Sequence, residues 1–94
     1  MERQLRAVIG RRIAVFGRVQ GVFFRHSAKE QADRLGIAGR AVNASDGSVR
    51  IEAEGEANAV ETLIDWCRKG PSFADVEGIE VEEGECIGRR GFEI

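Results

Sequence analysis

The stretch from Gly17 to Arg25 constrains the fold most, because an alternating hydrophobic run ends there on two glycines and a helical pattern begins. Gly17 and Gly21 allow the backbone to turn tightly with positive φ angles. Successive N–H groups in such a turn can point inward at one anion. Arg25 then opens a helix. The free N–H groups at the start of a helix favour an anion, and so does the guanidinium of Arg25. Taken alone, the stretch fits an anion cradle and a plain strand-to-helix turn with an exposed arginine equally well.

The composition predicts a single small domain with a slightly acidic balance. The chain of 94 residues is long enough to bury a core without a disulfide or a metal. Its 14 basic and 16 acidic side chains give a net charge of −2, which disfavours binding to nucleic acid or to an anionic membrane surface. No apolar run approaches the roughly 20 residues that a membrane span needs. We therefore expect a cytoplasmic protein, and a monomer because nothing in the sequence demands a partner.

The two cysteines, Cys67 and Cys86, belong to no CxxC pair and stand near no histidine cluster. We therefore expect no metal site and no cofactor. In the cytoplasm both thiols should be reduced and separate, with a Cys67–Cys86 disulfide as the minor alternative. The helical spacing of Cys67 with Val60 and Leu63 predicts a packed thiol rather than a nucleophile.

The order of the hydrophobic patterns predicts an α+β fold. Strand, helix, strand, strand, helix and strand follow one another, which is the βαββαβ order of ferredoxin-like sandwiches. We expect an antiparallel sheet of four to five strands with two helices on one face. The predicted strands cover 12–19, 39–43, 49–54, 76–81 and 91–94, and the helices cover 24–35 and a second segment that carries Val60, Leu63, Ile64 and Cys67.

Glycine and polar residues predict where these elements end. Gly36 should cap the first helix, and Asp46-Gly47 should form a hairpin turn. Gly55 should end the third strand, and Asn58 should cap the second helix. Residues 1–11 are predicted to be an extended or frayed N-terminal extension, which leaves 12–94 as the folded domain.

The predicted topology brings Arg25 and Asn43 together. A helical crossover makes the first two strands parallel, so their carboxyl ends lie at the same end of the sheet. The glycine stretch follows the first strand, and Asn43 ends the second. From these residues alone, the favoured interpretation of Asn43 is a polar residue that leads into the turn at Asp46-Gly47.

Several separated motifs resemble the acylphosphatase family in order and spacing. The resemblance extends from about Arg12 to the end of the sequence and implies the ferredoxin-like fold. It also implies hydrolysis of a carboxylic–phosphoric anhydride without a metal. The motifs are Gly17-Arg18-Val19-Gln20-Gly21-Val22-Phe23-Phe24-Arg25, Gly39 to Asn43, Asp46-Gly47-Ser48-Val49, Gly70-Pro71 with Ala74 and Val76, and Phe92-Glu93-Ile94.

The resemblance also implies residue roles and a small acyl phosphate as substrate. Arg25 and the loop bind the phosphate group, and Asn43 positions the attacking water. Arg40 departs from the family, which commonly has an aromatic residue there, and this leaves the acyl-group preference open. The loop residues concerned are Gly17, Arg18, Val19, Gln20, Gly21, Val22 and Phe23.

Other side chains near these motifs have simpler interpretations. His26 lies off the apolar stripe of the first helix and is expected to be solvated. Arg18 is expected to be exposed, and Gln20 to shape the loop rather than take part in chemistry. Glutamates late in the chain predict a solvated sheet edge that resists edge-to-edge pairing.

Three other functions remain open at this stage. One is a module that handles carbamoyl phosphate, since acylphosphatase-like domains occur in such proteins. Another is a small regulatory domain that binds anions without turnover. The third is an RNA-binding module of the same topology, although the third strand, which carries Val49, Ile51 and Ala53 on one face, offers no stacking aromatic residue.

Overall fold

A computed structural model describes residues 7–94 and contains the predicted succession of elements. Two helices pack on one face of a five-stranded sheet, which confirms the ferredoxin-like α+β fold. Neither helix is long and apolar enough to cross a membrane within this range. In chain order the elements are β1 (Val8–Arg18), α1 (Phe24–Leu35), β2 (Ala38–Asn43), β3 (Val49–Glu56), α2 (Ala57–Cys67), β4 (Asp75–Glu83) and β5 (Phe92–Glu93).

The sheet has the order β4-β1-β3-β2-β5. Its β1–β3, β1–β4 and β2–β3 pairs are antiparallel, whereas β2 and β5 are parallel. The sheet is therefore mixed, and the prediction of a wholly antiparallel sheet was wrong in this pair. The reason is that β4 and β5 lie at opposite edges, so the segment between them crosses the sheet instead of turning back as a hairpin.

Alternation along the central strands decides which face carries the helices. Ile13 and Val15 of β1 and Ile51 of β3 are buried, while their neighbours Arg12 and Arg50 are exposed. This is the period of two expected for a sheet with one covered face. From the helices, the residues buried in the same core are Phe24, Ala28, Ala32, Val60, Leu63, Ile64 and Cys67.

Two predicted boundaries around β3 were wrong. Gly55 does not end the strand, because β1 starts at Val8 and supplies a partner for it: Ile9 pairs with Gly55. The missing side chain serves packing there, since a Cβ on Gly55 would lie 3.3 Å from Cγ1 of Ile37. Consequently α2 follows β3 directly, with Glu56 rather than Asn58 at the N-cap position.

The first strand begins earlier than the predicted residue 12. Residues 8–11 of the predicted extension belong to β1, which pairs with β3 from Val8 onward. Residues 1–6 lie outside the described part of the chain. The division into an extension at 1–11 and a domain at 12–94 therefore stays a prediction.

The boundaries of α1 were predicted correctly. The helix ends at Leu35, and Gly36 adopts the left-handed conformation with a φ of 71°. Its N–H donates to the carbonyl oxygens of Ala32 and Asp33, as a helix C-cap should. The Asp46-Gly47 turn is also present, and Gly47 has a φ of 90°.

The two cysteines are separate, as predicted. Cys67 is buried and Cys86 is exposed, and both thiols are free. Burial raises the pKa of the Cys67 thiol to about 12, so the thiolate needed for nucleophilic attack does not form near neutral pH. The neighbouring Trp66 packs on Phe24 with ring centroids 5.2 Å apart.

Glu54 anchors the segment that crosses the sheet from β4 to β5. Its carboxylate accepts hydrogen bonds from the backbone N–H groups of Ile87 (3.1 Å), Gly88 (2.9 Å) and Arg89 (3.2 Å). Burial disfavours the ionised form, but these hydrogen bonds and the Arg89 charge outweigh it, so the pKa of Glu54 lies below its usual range. The crossing segment thereby delivers β5 to the edge of the sheet beside β2.

Candidate active site

A cavity of about 240 Å³ opens where β1 and β2 end. The two strands run in the same direction because both are antiparallel to the β3 strand between them. Val15 of β1 and Asn43 of β2 both pair with Val49, so they lie at the same level of the sheet. The loop after β1 therefore meets the end of β2, as the topology predicts. The cavity is lined by Val19, Gly21, Phe23, Phe24, Arg25, His26, Asn43 and Ile94.

The backbone of this loop leaves the start of α1 open to a ligand. Gly21 has a φ of 75° and Phe23 has a φ of 63°, so the chain turns sharply twice before the helix begins. Within the described chain, no side chain caps α1, and its first turn carries no acidic residue. The N–H groups of a free helix N-terminus are hydrogen-bond donors at the positive end of the helix dipole. They favour a phosphate or another anion there.

Arg25 is the second residue of α1, and its side chain is half-buried at the cavity. Within residues 7–94 its guanidinium takes part in no salt bridge and no hydrogen bond. No Asp or Glu side chain of the described residues lines the cavity. Within the described residues no acidic side chain neutralises the charge of Arg25, which leaves its guanidinium available to bind an anion.

Asn43 is exposed at the end of β2, on the same face of the strand as the buried Ala41. Alternation along the strand turns this face toward α1. The Asn43 amide thus reaches the cavity that Arg25 lines. It supplies one donor group and one acceptor oxygen beside the guanidinium.

Gln20 ties the loop to the hairpin that follows Asn43. Its Nε2 donates to the carbonyl oxygens of Ala44 at 2.8 Å and Ser48 at 3.0 Å. These two residues also pair through the Ala44 N–H and the Ser48 carbonyl at 2.8 Å. The expected loop-shaping role of Gln20 is confirmed, and the same contacts hold the end of β2 against the loop.

The hairpin itself is stabilised by Asp46. Its carboxylate accepts hydrogen bonds from the Ser48 hydroxyl and from the Ser48 N–H, the latter at 3.0 Å, and from Arg50 at 2.9 Å. These contacts, led by the Ser48 hydroxyl, lower the pKa of Asp46 to about 2. The turn behind Asn43 therefore keeps its charged anchor throughout the neutral and mildly acidic range.

Only some residues of the predicted phosphate loop line the cavity in the described structure. Gly17 lies in β1 beside an irregularity in the pairing with β4, and a Cβ there would clash with the Asp75 carbonyl oxygen. Its glycine is therefore required by strand packing. Arg18 is exposed and Val22 is buried, and neither lines the cavity. Their part in phosphate binding stays a prediction about the loop backbone.

Arg40 is separate from the cavity. It lies on the opposite face of β2, where its Nε donates to Glu52 at 2.9 Å. Ile94, in contrast, lines the cavity although no sequence pattern places it there. The position of Ile94 follows from the parallel pairing of β5 with β2, and the prediction of an antiparallel sheet did not include this pair.

Comparison with known proteins agrees with this architecture. The family described as acylphosphatase matches residues 11–94. The acylphosphatase of Rubrobacter xylanophilus is 55% identical over 84 residues, which cover 88% of this chain and 76% of that protein.

Solved structures give the same result. The crystal structure of the Bacillus subtilis acylphosphatase superimposes with a TM-score of 0.88 at 38% identity, covering 94% of this chain and 98% of that one. Full-length HypF in its phosphate- and nucleotide-bound form has a TM-score of 0.88 at 31% identity, and the match covers 96% of this chain but 12% of that longer one. From the family match and the identity over most of its length, the chain belongs to the acylphosphatase family, hydrolases that act on acid anhydrides.

Proposed function

We propose that the chain hydrolyses acyl phosphates to a carboxylate and inorganic phosphate without a metal ion. In this proposal the loop Gly17–Phe23 and Arg25 bind the phosphate group, and Asn43 orients the attacking water. The observation that carries it is the cavity where the Asn43 amide and the N-terminus of α1 meet Arg25, which has no partner and no side-chain cap beside it among residues 7–94. Family membership supports the same reaction.

The reaction needs only a positioned water and stabilisation of the phosphoryl group. The water oxygen forms a bond to phosphorus while the bond from phosphorus to the acyl oxygen breaks, and its electron pair leaves with the carboxylate. A carboxylate is a good leaving group, so the leaving oxygen requires little protonation. The water proton ends on the phosphate, which is released as dihydrogen phosphate. Charge and atoms balance without an enzymatic base.

Each part of the cavity has a place in this step. The Arg25 guanidinium and the first N–H groups of α1 are fixed donors for the equatorial phosphoryl oxygens, where charge accumulates in the transition state. The Asn43 amide holds the water on the side opposite the leaving group. Because these donors are already oriented, they need little rearrangement as charge develops in the transition state. Such electrostatic preorganisation is the usual source of a large rate enhancement.

Chelation should not affect the rate. After dialysis against EDTA, hydrolysis of acetyl phosphate should proceed at the same rate as before, because Arg25 and backbone donors supply the positive charge that a metal would otherwise provide. The measurement is the initial rate of phosphate release with EDTA, and with added Mg²⁺ as the control. A rate that collapses in EDTA and returns with Mg²⁺ would contradict the metal-free mechanism.

Gln20→Ala should lower kcat about tenfold or more, because small displacements of a positioning group are costly in catalysis. The variant removes the two side-chain hydrogen bonds that tie the loop to the Ala44 and Ser48 carbonyl oxygens, so the end of β2 is held less firmly against the loop. Inhibition by inorganic phosphate should change much less than kcat, since Arg25 and α1 are untouched. Ser45→Ala, an exposed residue of the same turn, is the control. Equal losses of kcat and of phosphate inhibition in Gln20→Ala would mean that Gln20 shapes the phosphate site itself.

A further inference from the structure

Phe23 is an exposed aromatic residue in a conformation that aromatic residues rarely adopt. Its side chain is 72% exposed. With a φ of 63°, it is the only non-glycine residue of positive φ in the part of the chain that is described. Glycine would adopt this left-handed conformation without the strain that a Cβ introduces. Burial and local backbone geometry therefore do not account for phenylalanine at this position, and strained residues of this kind cluster at ligand sites.

Ile94 is a second exposed apolar side chain at the same cavity. It is 51% exposed. Because β5 pairs in parallel with Gly39 and Arg40, Ile94 continues along β2 toward Asn43. The cavity thus has Phe23 on the side of the loop and Ile94 on the side of β2.

The polar and apolar groups at this cavity match the two halves of an acyl phosphate. Arg25, Asn43 and the start of α1 suit the phosphoryl group and the water. A phosphoryl group held there leaves the acyl group to extend away from the charged donors. Phe23 and Ile94 are the exposed apolar surface available at the cavity. Contact with them would remove apolar area of both partners from water.

We infer that Phe23 and Ile94 form an apolar lip that binds the acyl group and makes the site selective for acyl phosphates with aromatic or bulky apolar acyl groups. Acetyl and carbamoyl phosphate, whose acyl groups are too small or too polar to use the lip, are the poorer substrates. Arg40 takes no part in this preference, because it is paired with Glu52 on the other face of β2. The inference rests on the proposed function and specifies its substrate class.

The test compares kcat/KM for benzoyl, acetyl and carbamoyl phosphate in wild type and lip variants. Phe23→Ala should lower the ratio of benzoyl to acetyl turnover about tenfold, the lower range for loss of one apolar contact in a binding pocket. Ile94→Ala should lower it in the same direction. Phe73→Ala is the matched control, because Phe73 is 74% exposed but does not line the cavity. The ratio of benzoyl to acetyl turnover in this variant should equal that of wild type.

The outcomes separate this inference from the proposed function. If wild type hydrolyses the substrates but Phe23→Ala has the same ratio of benzoyl to acetyl turnover as wild type, the lip is overturned and the hydrolase assignment stays intact. No turnover of any of the three substrates by wild type would overturn the assignment and the lip with it. The Tm of each variant shows whether it is still folded. Because Phe23 is exposed and strained, its replacement should not lower Tm.

Discussion

Replacing Arg25 with alanine should lower kcat/KM for an acyl phosphate by at least about 10²- to 10³-fold, or about 2.7 to 4 kcal/mol of transition-state stabilisation. The expected loss is large because the guanidinium has no partner within residues 7–94 and no Asp or Glu side chain of this range lines the cavity. Under the proposed function, its charge is therefore available to the phosphoryl group. Steady-state kinetics with benzoyl phosphate measure the effect, and inhibition by inorganic phosphate should weaken in parallel.

Lysine should not restore the activity of Arg25→Ala. Its ammonium group is a point charge and does not reproduce the planar fork of donors that matches phosphate oxygens. The matched control is Arg34→Ala, an exposed arginine in the last turn of the same helix, which should retain wild-type kinetics. If Arg25→Ala or Arg25→Lys kept most of the activity, the phosphate site would have to lie elsewhere.

Asn43→Ala should reduce kcat about 10²-fold, as expected when a reacting group is no longer held in place. Inhibition by inorganic phosphate should remain nearly unchanged, because Arg25 and α1 still bind the anion. The exposed amide of Asn43 lies at the end of β2, so its removal should not affect the core. The kinetic split between kcat and the phosphate inhibition constant identifies its role.

Two further variants sharpen the assignment of Asn43. Asn43→Asp keeps the size but brings a negative charge to the phosphate, so it should weaken phosphate inhibition as well as kcat. Val42→Ala changes the neighbouring residue on the opposite face of β2 and should leave the kinetics unaltered. Loss of phosphate inhibition in Asn43→Ala would place the amide in the phosphate site instead of at the water.

The juxtaposition at the centre of the site could be predicted from the sequence. The helical spacing of Phe24, Ala28 and Ala32 and the glycine at 36 gave the bounds of α1. The helical crossover, which makes the first two strands run in the same direction, then placed the start of α1 and the end of β2 at the same end of the sheet. These signals are local and periodic, and they are the kind that a single sequence carries well.

The parts that could not be predicted depend on contacts between distant segments. Gly55 has the local signature of a strand end, but its pairing with Ile9 keeps it in β3. Gln20 has no partner in sequence until the fold brings the carbonyl oxygens of Ala44 and Ser48 to it. Ile94 enters the cavity only because the segment held by Glu54 carries β5 across to β2.

The most direct test is the rate of benzoyl phosphate hydrolysis by wild type and Arg25→Ala, both purified and assayed with EDTA present. The mechanism predicts fast release of benzoate and phosphate by wild type and its loss in the variant. That result would establish the reaction, its metal independence and the phosphate site together. If neither protein exceeded the uncatalysed rate, the cavity at Arg25 would be an anion-binding site without turnover, and the proposed function would be wrong.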